Sequence, residues 1–424
     1  DSCTRMSLIL GFVTTTSDSL EDKLKNPHRC LTVAQIIPIP HSNINRGEDG
    51  RPKTQLDSEG IRRLAPSPQF RKYSIRHTSD YGNYITRSRW IPMRILRKVG
   101  LTETSPLWGA WLKALILALY KDTKAKHLDK GHMAGLILLS NKEIDAIETY
   151  IQPLISSNPP KNLYEGLQNA LSNVAGGDIS SVVRAFYGRM ATNSPMFEHR
   201  DSALQCGPSF SLQGVKVQDD YTSCVDDEVR DPSGLCGVIT QDVVDEEGNT
   251  TDTGDTNSPS GAGHITSKYV ATACDLFTED TLDLDQIAIN EGYASLEAAC
   301  ADGNHRQDII DVITDWLLTA HFRPLGQAAN RGNYDVSKVR ASYTLIRATN
   351  THPSGTLSTA VRYAYHSRGE GDRITDQAIR DINTYINDGK VTAATHTLSY
   401  GEDTTYTDKS FEKDVRDLLD SILP

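Results

Sequence analysis

Apolar residues are grouped in short runs along the chain, and the run that begins at Cys30 is the clearest. "CLTVAQIIPIP" (Cys30–Pro40) is almost continuously apolar and ends in prolines, which predicts a strand buried on both faces. "ASYTLIRAT" (Ala341–Thr349) predicts another strand, and Phe411–Ile422 has helical spacing near the end. Strands and helices are mixed without the regular strand–helix–strand repeat of a parallel sheet, so the pattern favours an α+β fold.

Helical periodicity dominates from Trp90 to about Val174. "SNKE" (Ser140–Glu143) has the serine and glutamate of a capping box. Isoleucines follow it at three- and four-residue spacing, at Ile144, Ile147 and Ile151. The most apolar stretch, Trp108–Tyr120, contains a lysine and is far shorter than the ~20 residues that a membrane-spanning helix needs. It predicts a buried helix, and no membrane partner is expected.

The middle of the chain predicts a long hairpin. "LQGVKVQDDYTSCVDDEV" (Leu212–Val229) and "HITSKYVATACDLF" (His264–Phe277) both have strand-like patterning. Between them, residues 242–262 are rich in Asp, Gly, Thr and Ser and have almost no apolar side chains. Such a segment buries too little to fold, so a solvated and disordered tip is expected.

Composition narrows the class of protein. The 424 residues carry a formal net charge of −11, with 38% hydrophobic and 23% charged residues, which is typical of a globular protein with a real core. Seven cysteines, an odd number without a Cys-x-x-Cys pair, disfavour a disulfide scaffold and a zinc site. "MSLILGFV" near the start lacks a small-residue cleavage site, so no signal peptide is expected. The expectations are a cytoplasmic protein without a cofactor or metal.

The charge is strongly polarised along the chain. Residues 41–100 contain 13 Arg and Lys against 5 Asp and Glu, a net charge of +8, so the remainder carries −19. Because local charge decides what a surface binds, this stretch predicts contact with a polyanion. The alternative is a solvated surface, which the scarcity of interleaved acidic residues makes less favourable.

A helix start within this stretch predicts a phosphate site. Ser67 can cap a helix, and proline at position 68 suits the first helical position. Gln69, Lys72 and Arg76 would then share one face of the helix. The free N–H groups of the first turn would add to this anion site. Further phosphate partners are expected on the preceding loop, at Arg46, Lys53, Arg62 and Arg63.

The same residues carry a family signature. "PHSNINRGEDGRPKTQL", followed by "GIRRLAPSPQFRKYSIR", resembles the start of the type I-E CRISPR Cascade backbone subunit, the CasC-type crRNA-binding protein of the RAMP superfamily. "AFYGRMATNSPM" is similar to the Gly-Arg-Met element of that family. "VQDDYTSCVDDE" and "GAGHITSKYVATACDLF" resemble the two strands of its thumb. The resemblance covers about Cys30 to Leu284, in order.

The resemblance implies a modified RRM-like (ferredoxin-like) palm, an inserted helical finger region and a β-hairpin thumb. The implied divisions are an N-terminal extension (1–28), a first palm segment with the basic loop and helix (29–89), helical fingers (90–180), a second palm segment (181–215), a thumb hairpin (216–275) with its tip at 242–262, and a third palm segment with C-terminal helices (276–424).

The implied role is that of a non-catalytic subunit of a surveillance ribonucleoprotein in antiviral defence. Several copies would form a helical filament along one crRNA, hold its sugar-phosphate backbone beside other Cascade subunits, and leave most bases free to pair with target DNA. This fits the basic stretch, because a guide holder must accept any sequence.

The resemblance also implies roles for single residues. Contacts with RNA phosphate and sugar are implied for Arg46, Lys53, Ser67, Gln69, Lys72 and Arg76. Met190 would lie where the RNA bends, and Tyr269 would displace a nucleotide from the thumb. Arg189 and Lys268 would lie beside them and could also reach nucleic acid.

This chain departs from the family pattern at several positions. Pro68 and Ala65 replace a serine and an arginine, Tyr269 replaces phenylalanine, and Lys268 replaces an acidic residue.

Simpler interpretations compete with these roles. Met190 could be a core methionine, Tyr269 a packed strand residue, and Arg189 a structural ion-pair partner. A different function is also open: an RRM-like CRISPR endoribonuclease acting on a crRNA precursor or target RNA. His41 and His77 flank the basic stretch and could serve as general acid and base.

Overall fold

The structure is a computed structural model. It describes residues 29–120, 125–128, 130–172, 174, 178–191, 194–225, 262–326, 339–351, 353–362, 364, 373–401 and 407–424, leaving aside the side chains of residues 125–126, 220–225 and 262–268. The predicted N-terminal extension, residues 1–28, and residues 242–261 of the predicted tip lie outside these ranges.

The strands are numbered in chain order: β1 (Cys30–Ile39), β2 (Thr54–Leu56), β3 (Arg62–Leu64), β4 (Ile85–Ser88), β5 (Ile137–Ser140), β6 (Leu204–Cys206), β7 (Phe210–Ser211), β8 (Val217–Val225), β9 (Ala262–Ala271), β10 (Cys274–Asp283), β11 (Tyr343–Thr349) and β12 (His396–Tyr400).

The α-helices are α1 (Pro68–Thr78), α2 (Ile91–Lys98), α3 (Trp108–Leu119), α4 (Ala125–Leu128), α5 (Asn141–Ile151), α6 (Leu163–Ser172), α7 (Ile179–Tyr187), α8 (Leu284–Glu291), α9 (Leu296–Cys300), α10 (Gly303–Phe322), α11 (Leu357–Val361), α12 (Ile374–Asn387) and α13 (Asp408–Ile422). Short 3₁₀ helices cover Asp80–Tyr84 and Gln152–Leu154.

A six-stranded sheet organises the fold, with β1 at its centre. The strand order is β12-β11-β1-β10-β6, and β7 pairs with a further stretch of β10. The two neighbours of β1 are both antiparallel to it, with Ile36 opposite Phe277 on β10 and Val33 opposite Ile346 on β11. Because β1 is covered on both faces, nearly every residue in it is buried, as its unbroken apolar run predicts.

Several apolar cores lie around this sheet. On one face, helices α7, α8, α10 and α13 pack through residues that include Phe186, Trp316 and Phe411. The other face packs against α11 and α12. A separate core joins α2, α3, α5 and α6, with Trp111 and Ile147 fully buried. The helical segment predicted from Trp90 onward therefore builds a core of its own.

The main sequence predictions of local structure are confirmed. The capping box forms, since Ser140 accepts the Glu143 N–H and the Glu143 side chain accepts the Ser140 N–H. Strands β8 and β9 pair as an antiparallel hairpin. The antiparallel sheet mixed with helices confirms the α+β class, and the RRM-like palm stays a prediction.

Two boundaries of the predicted hairpin need correction. Ala262, placed in the tip, is the first residue of β9. Cys274 and Asp275, placed in the hairpin, begin β10 and pair with β1. The apolar pattern runs on from one strand into the next, so it could not show this change of partner. Among the described helices, none is both long and apolar enough to cross a membrane.

Candidate nucleic-acid interface

The start of α1 is built by two residues of the basic stretch. Ser67 is the N-cap, and its hydroxyl accepts the Phe70 N–H at 3.2 Å, which confirms the predicted helix start. The Ser67 N–H in turn donates to the Asn45 side-chain oxygen at 2.6 Å. Asn45 has a positive φ of 49°, a conformation that asparagine tolerates better than most residues. The loop before the helix is thus fixed to the helix start.

One face of α1 packs into the core, and the opposite face lines a cleft. Arg71 points into the core and donates to Asp280 of β10 at 2.6 Å. Gln69, Lys72 and Arg76 share the opposite side and line a cleft of about 320 Å³. This cleft, called the helix cleft below, also contains Arg87, Leu136 and Met190. It unites the helix stripe with the Gly188–Met190 element, although more than a hundred residues separate them in sequence.

Gly188 explains how the second element reaches the helix cleft. It ends α7 with a φ of +69°, where other residues are strained. A Cβ there would lie 2.5 Å from the Ser202 backbone nitrogen. The turn directs Met190 outward, and 66% of this residue is exposed. Met190 is therefore not the core methionine of the simpler interpretation.

Two positive charges of the helix cleft, those of Lys72 and Arg76, are held without acidic partners in the described part of the chain. Arg189 and Arg200, which also line the cleft, pair with Glu143 and Glu198. The Lys72 ammonium donates to the Ser202 hydroxyl at 3.0 Å and to the Leu204 carbonyl at 2.7 Å. Burial lowers the pKa of both Lys72 and Arg76, and the nearby Arg87 lowers them further. Within the described residues, neither Lys72 nor Arg76 forms an ion pair with a carboxylate. Like charges gathered in this way favour an anionic ligand.

A second cleft, called the loop cleft below, lies where the basic loop meets the base of the hairpin. It measures about 670 Å³, and its charged lining consists of Asp49, Arg51, Lys53, Arg62 and Lys216. Arg62 donates to the Thr54 hydroxyl at 3.0 Å. Because this acceptor is neutral, the contact does not neutralise the charge of Arg62. The excess of cations over one carboxylate also suits a polyanion.

The loop cleft is connected to the hairpin through Tyr269. The Arg51 guanidinium carbon lies 4.5 Å from the centre of the Tyr269 ring, a cation–π contact. Tyr269 is half-buried on β9, opposite Asp219 of β8. The backbone of Lys268 pairs with Asp220, but the side chain of Lys268 lies outside the described portion of the chain.

Arg63 and Arg189, two predicted RNA contacts, are engaged inside the protein. Arg63 is buried, donating to Asp57 at 2.7 Å and to the Leu212 carbonyl at 2.6 Å. Arg189 is 7% exposed and donates to both Glu143 oxygens at 2.5–2.6 Å. These contacts favour a structural role for both residues. Arg189 nevertheless also lines the helix cleft, and contact of the two arginines with RNA stays a prediction. A charge pattern alone does not show which arginines meet a partner in the fold.

Arg46, another predicted RNA contact, lies at the neck of the basic loop. It is exposed, and its backbone forms a bridge with Pro52.

Sequence reasoning missed four basic residues that line the two clefts: Arg51, Lys216, Arg87 and Arg200. Arg51 and Arg87 lie within the basic residues 41–100 and could have been included. Lys216 and Arg200 come from segments without such a charge pattern, and only the fold brings them in.

The chain matches a known family over its N-terminal region. Residues 31–241 match the model of the CT1975-like protein family. This match includes α1, the Gly188–Met190 element and the lining residues of both clefts. It spans just under half of the chain. No curated protein is significantly similar.

Two solved structures show that the fold itself is known. A chain of a "CRISPR RNA-guided surveillance complex, pre-nicking" aligns with a TM-score of 0.58 and 18% identity, covering 92% of this chain and 99% of that chain. A chain of a "CRISPR RNA-guided surveillance complex" aligns with a TM-score of 0.52 and 15% identity at the same coverage. At such identities the likeness is one of fold.

Proposed function

We propose that this protein is a non-catalytic backbone subunit of a type I-E Cascade complex that holds crRNA by its sugar-phosphate chain. The observation that carries the proposal is the helix cleft, where the Lys72–Arg76 stripe of α1 meets Met190. These are the two elements that the family resemblance links to RNA, and the fold places them side by side. The CT1975-like match supports the same assignment.

The chemistry of the two clefts suits backbone binding better than base reading. The ammonium groups of Lys53 and Lys72 are point charges, and the Arg62 guanidinium is a planar fork of N–H donors. Both kinds of group match phosphate oxygens. Recognition of a particular RNA sequence would need paired donors and acceptors directed at the base edges. A guide holder must accept every spacer, so cations without base selectivity fit the task.

The hairpin gives a place for base displacement. Tyr269 lies at the base of the hairpin beside the loop cleft, in contact with Arg51. An aromatic ring at this point can wedge against one nucleotide whatever its identity. Repeated in each copy along a helical filament, this wedge would displace bases periodically and leave the others free to pair with target DNA.

The nuclease alternative receives less support. His41 and His77 are both exposed, but neither lines the helix cleft or the loop cleft. The His77 ring is 4.1 Å from that of Tyr73, a packing contact with a neighbour on the same helix. A general acid and base would need to reach the ribose and the scissile phosphate together.

Assembly on RNA of increasing length tests the proposal. The protein is incubated with its crRNA and with RNAs of half and double the length, and the products are examined by native mass measurement and by denaturing gel. We expect the number of bound copies to rise with RNA length while the RNA stays intact. Binding of one copy at every length contradicts the backbone role. Cleavage that is lost in His41→Ala or His77→Ala supports the nuclease instead.

A further inference from the structure

We infer that the helix cleft holds an unstacked nucleobase as well as phosphate, with Tyr73 and Leu136 forming the wall against which the base packs. The inference rests on the proposed function and specifies which portion of the nucleotide this cleft recognises. Neither residue was singled out by the sequence, since Tyr73 looks like one more residue of a basic helix.

The wall is made of large apolar side chains that the fold leaves uncovered. Tyr73 is 40% exposed, Leu136 43% and Met190 66%, and all three line the helix cleft. They come from α1, from the residue before β5 and from the turn after α7. Single exposed apolar residues need no explanation, but three that converge on one cleft mark a binding surface.

The polar side of the same cleft sets the chemistry of the ligand. The Arg76 guanidinium carbon lies 5.7 Å from the Tyr73 ring centre and 5.9 Å from that of Tyr187. Arg87 and Lys72 line the cleft beside it. A ligand that satisfies both sides must be flat and apolar at one end and anionic at the other, which describes a nucleotide.

Phosphate alone does not account for this arrangement. Leu136 and Met190 offer no hydrogen-bond donor, so they add nothing to a site that binds only an anion. The cleft volume of about 320 Å³ lies at the small end of the range for single small ligands. Stacking and apolar contact accept any base, so this wall stays compatible with a guide of arbitrary sequence.

A pair of RNAs with and without bases tests the inference. The first is an oligouridylate of about 12 nucleotides, within the range of single-strand sites, and the second is the same ribose-phosphate chain with every base removed. Kd is measured for the wild type, Tyr73→Ala and Tyr73→Phe. Tyr84→Ala serves as the matched control, because Tyr84 is 38% exposed and does not line the helix cleft.

We expect Tyr73→Ala to weaken binding of the oligouridylate roughly fivefold or more, the effect of one lost stacking contact. The same substitution should leave binding of the base-free chain unchanged, while Tyr73→Phe and Tyr84→Ala bind both RNAs like the wild type. Equal losses on the two RNAs, or no loss on either, overturn the inference.

Leu136→Ala provides a second, independent variant, with Leu117→Ala as its control, since Leu117 is 39% exposed and lies away from the cleft. A loss confined to the RNA with bases supports the inference, and no loss counts against it. If the wild type binds neither RNA, the proposed function itself fails. If it binds both equally well, only the base site fails.

Discussion

Arg71 of α1 and Asp280 of β10 form a 2.6 Å ion pair that is sealed from water, with 0% and 1% of their side chains exposed. Arg71 also donates to the Gln35 side chain of β1 at 3.3 Å. The pair fixes the rotation of α1 on the central strands. Because Lys72 is the next residue, the same contact directs it toward the helix cleft.

The first prediction concerns this pair. Asp280→Ala should lower the free energy of unfolding by about 3–5 kcal/mol, because it leaves the Arg71 charge buried without a partner. Denaturant unfolding measures the change. Asp145→Ala is the control, since Asp145 pairs with Lys98 at 3.1 Å on the surface and should cost less than about 1 kcal/mol. Similar losses in the two variants would contradict the anchoring role of Asp280.

The second prediction separates the cap of α1 from its role in binding. Ser67→Ala should lower the free energy of unfolding by about 1 kcal/mol, because the Phe70 N–H loses its acceptor. Ser67→Asp keeps an acceptor and should retain stability, yet its negative charge should weaken RNA binding. Unfolding and RNA titration of both variants give the comparison. Unchanged RNA affinity in Ser67→Asp would show that the helix start does not face phosphate.

The third prediction concerns acid stability. Burial, together with the Arg340 charge, lowers the pKa of His321 to about 4 from its usual 6.5. The folded protein therefore binds a proton at His321 only at a lower pH than the unfolded chain does. Stability should be full above pH 6.5 and fall as the pH drops from 6.5 to 4, by up to about 3 kcal/mol from this group.

The neutral variant His321→Gln isolates the contribution of His321. Its stability should vary less than that of the wild type between pH 6.5 and 4, in denaturant unfolding at each pH. It should also be less stable at neutral pH, because the His321 ring stacks on Phe411 at 4.6 Å. Parallel pH profiles for the two proteins would show that His321 is not the group that titrates.

Local structure could be predicted from the sequence wherever the determining contacts are local. The start of α1 depends on Ser67 and the residues directly after it, and the capping box of α5 depends on Ser140 and Glu143. Strand β1 was visible because burial on both faces leaves an unbroken apolar run. Each of these signals is contained within about a dozen residues.

The site could be predicted only partially, because its geometry depends on distant contacts. Arg63 and Arg189 carry the same charge as Arg62, and only the fold shows that they pair with Asp57 and Glu143. Met190 could be named only through a family resemblance. The wall beside it, with Tyr73 and Leu136, is assembled by the fold from segments that share no pattern.

The salt dependence of RNA binding tests the central claim most directly, namely that the two clefts bind the sugar-phosphate chain without regard to sequence. Kd is measured over a range of salt concentrations for two unrelated single-stranded RNAs of equal length. The proteins are the wild type, the double variant Lys53→Gln/Lys72→Gln, and the control Lys161→Gln, whose lysine is exposed and lies outside both clefts.

Each phosphate contact on a single strand contributes about −0.7 to the log–log slope, so the double variant should have a slope shallower by about 1.4 on both RNAs. The control should match the wild type. An unchanged slope in the double variant, or a loss confined to one of the two RNAs, would contradict the account.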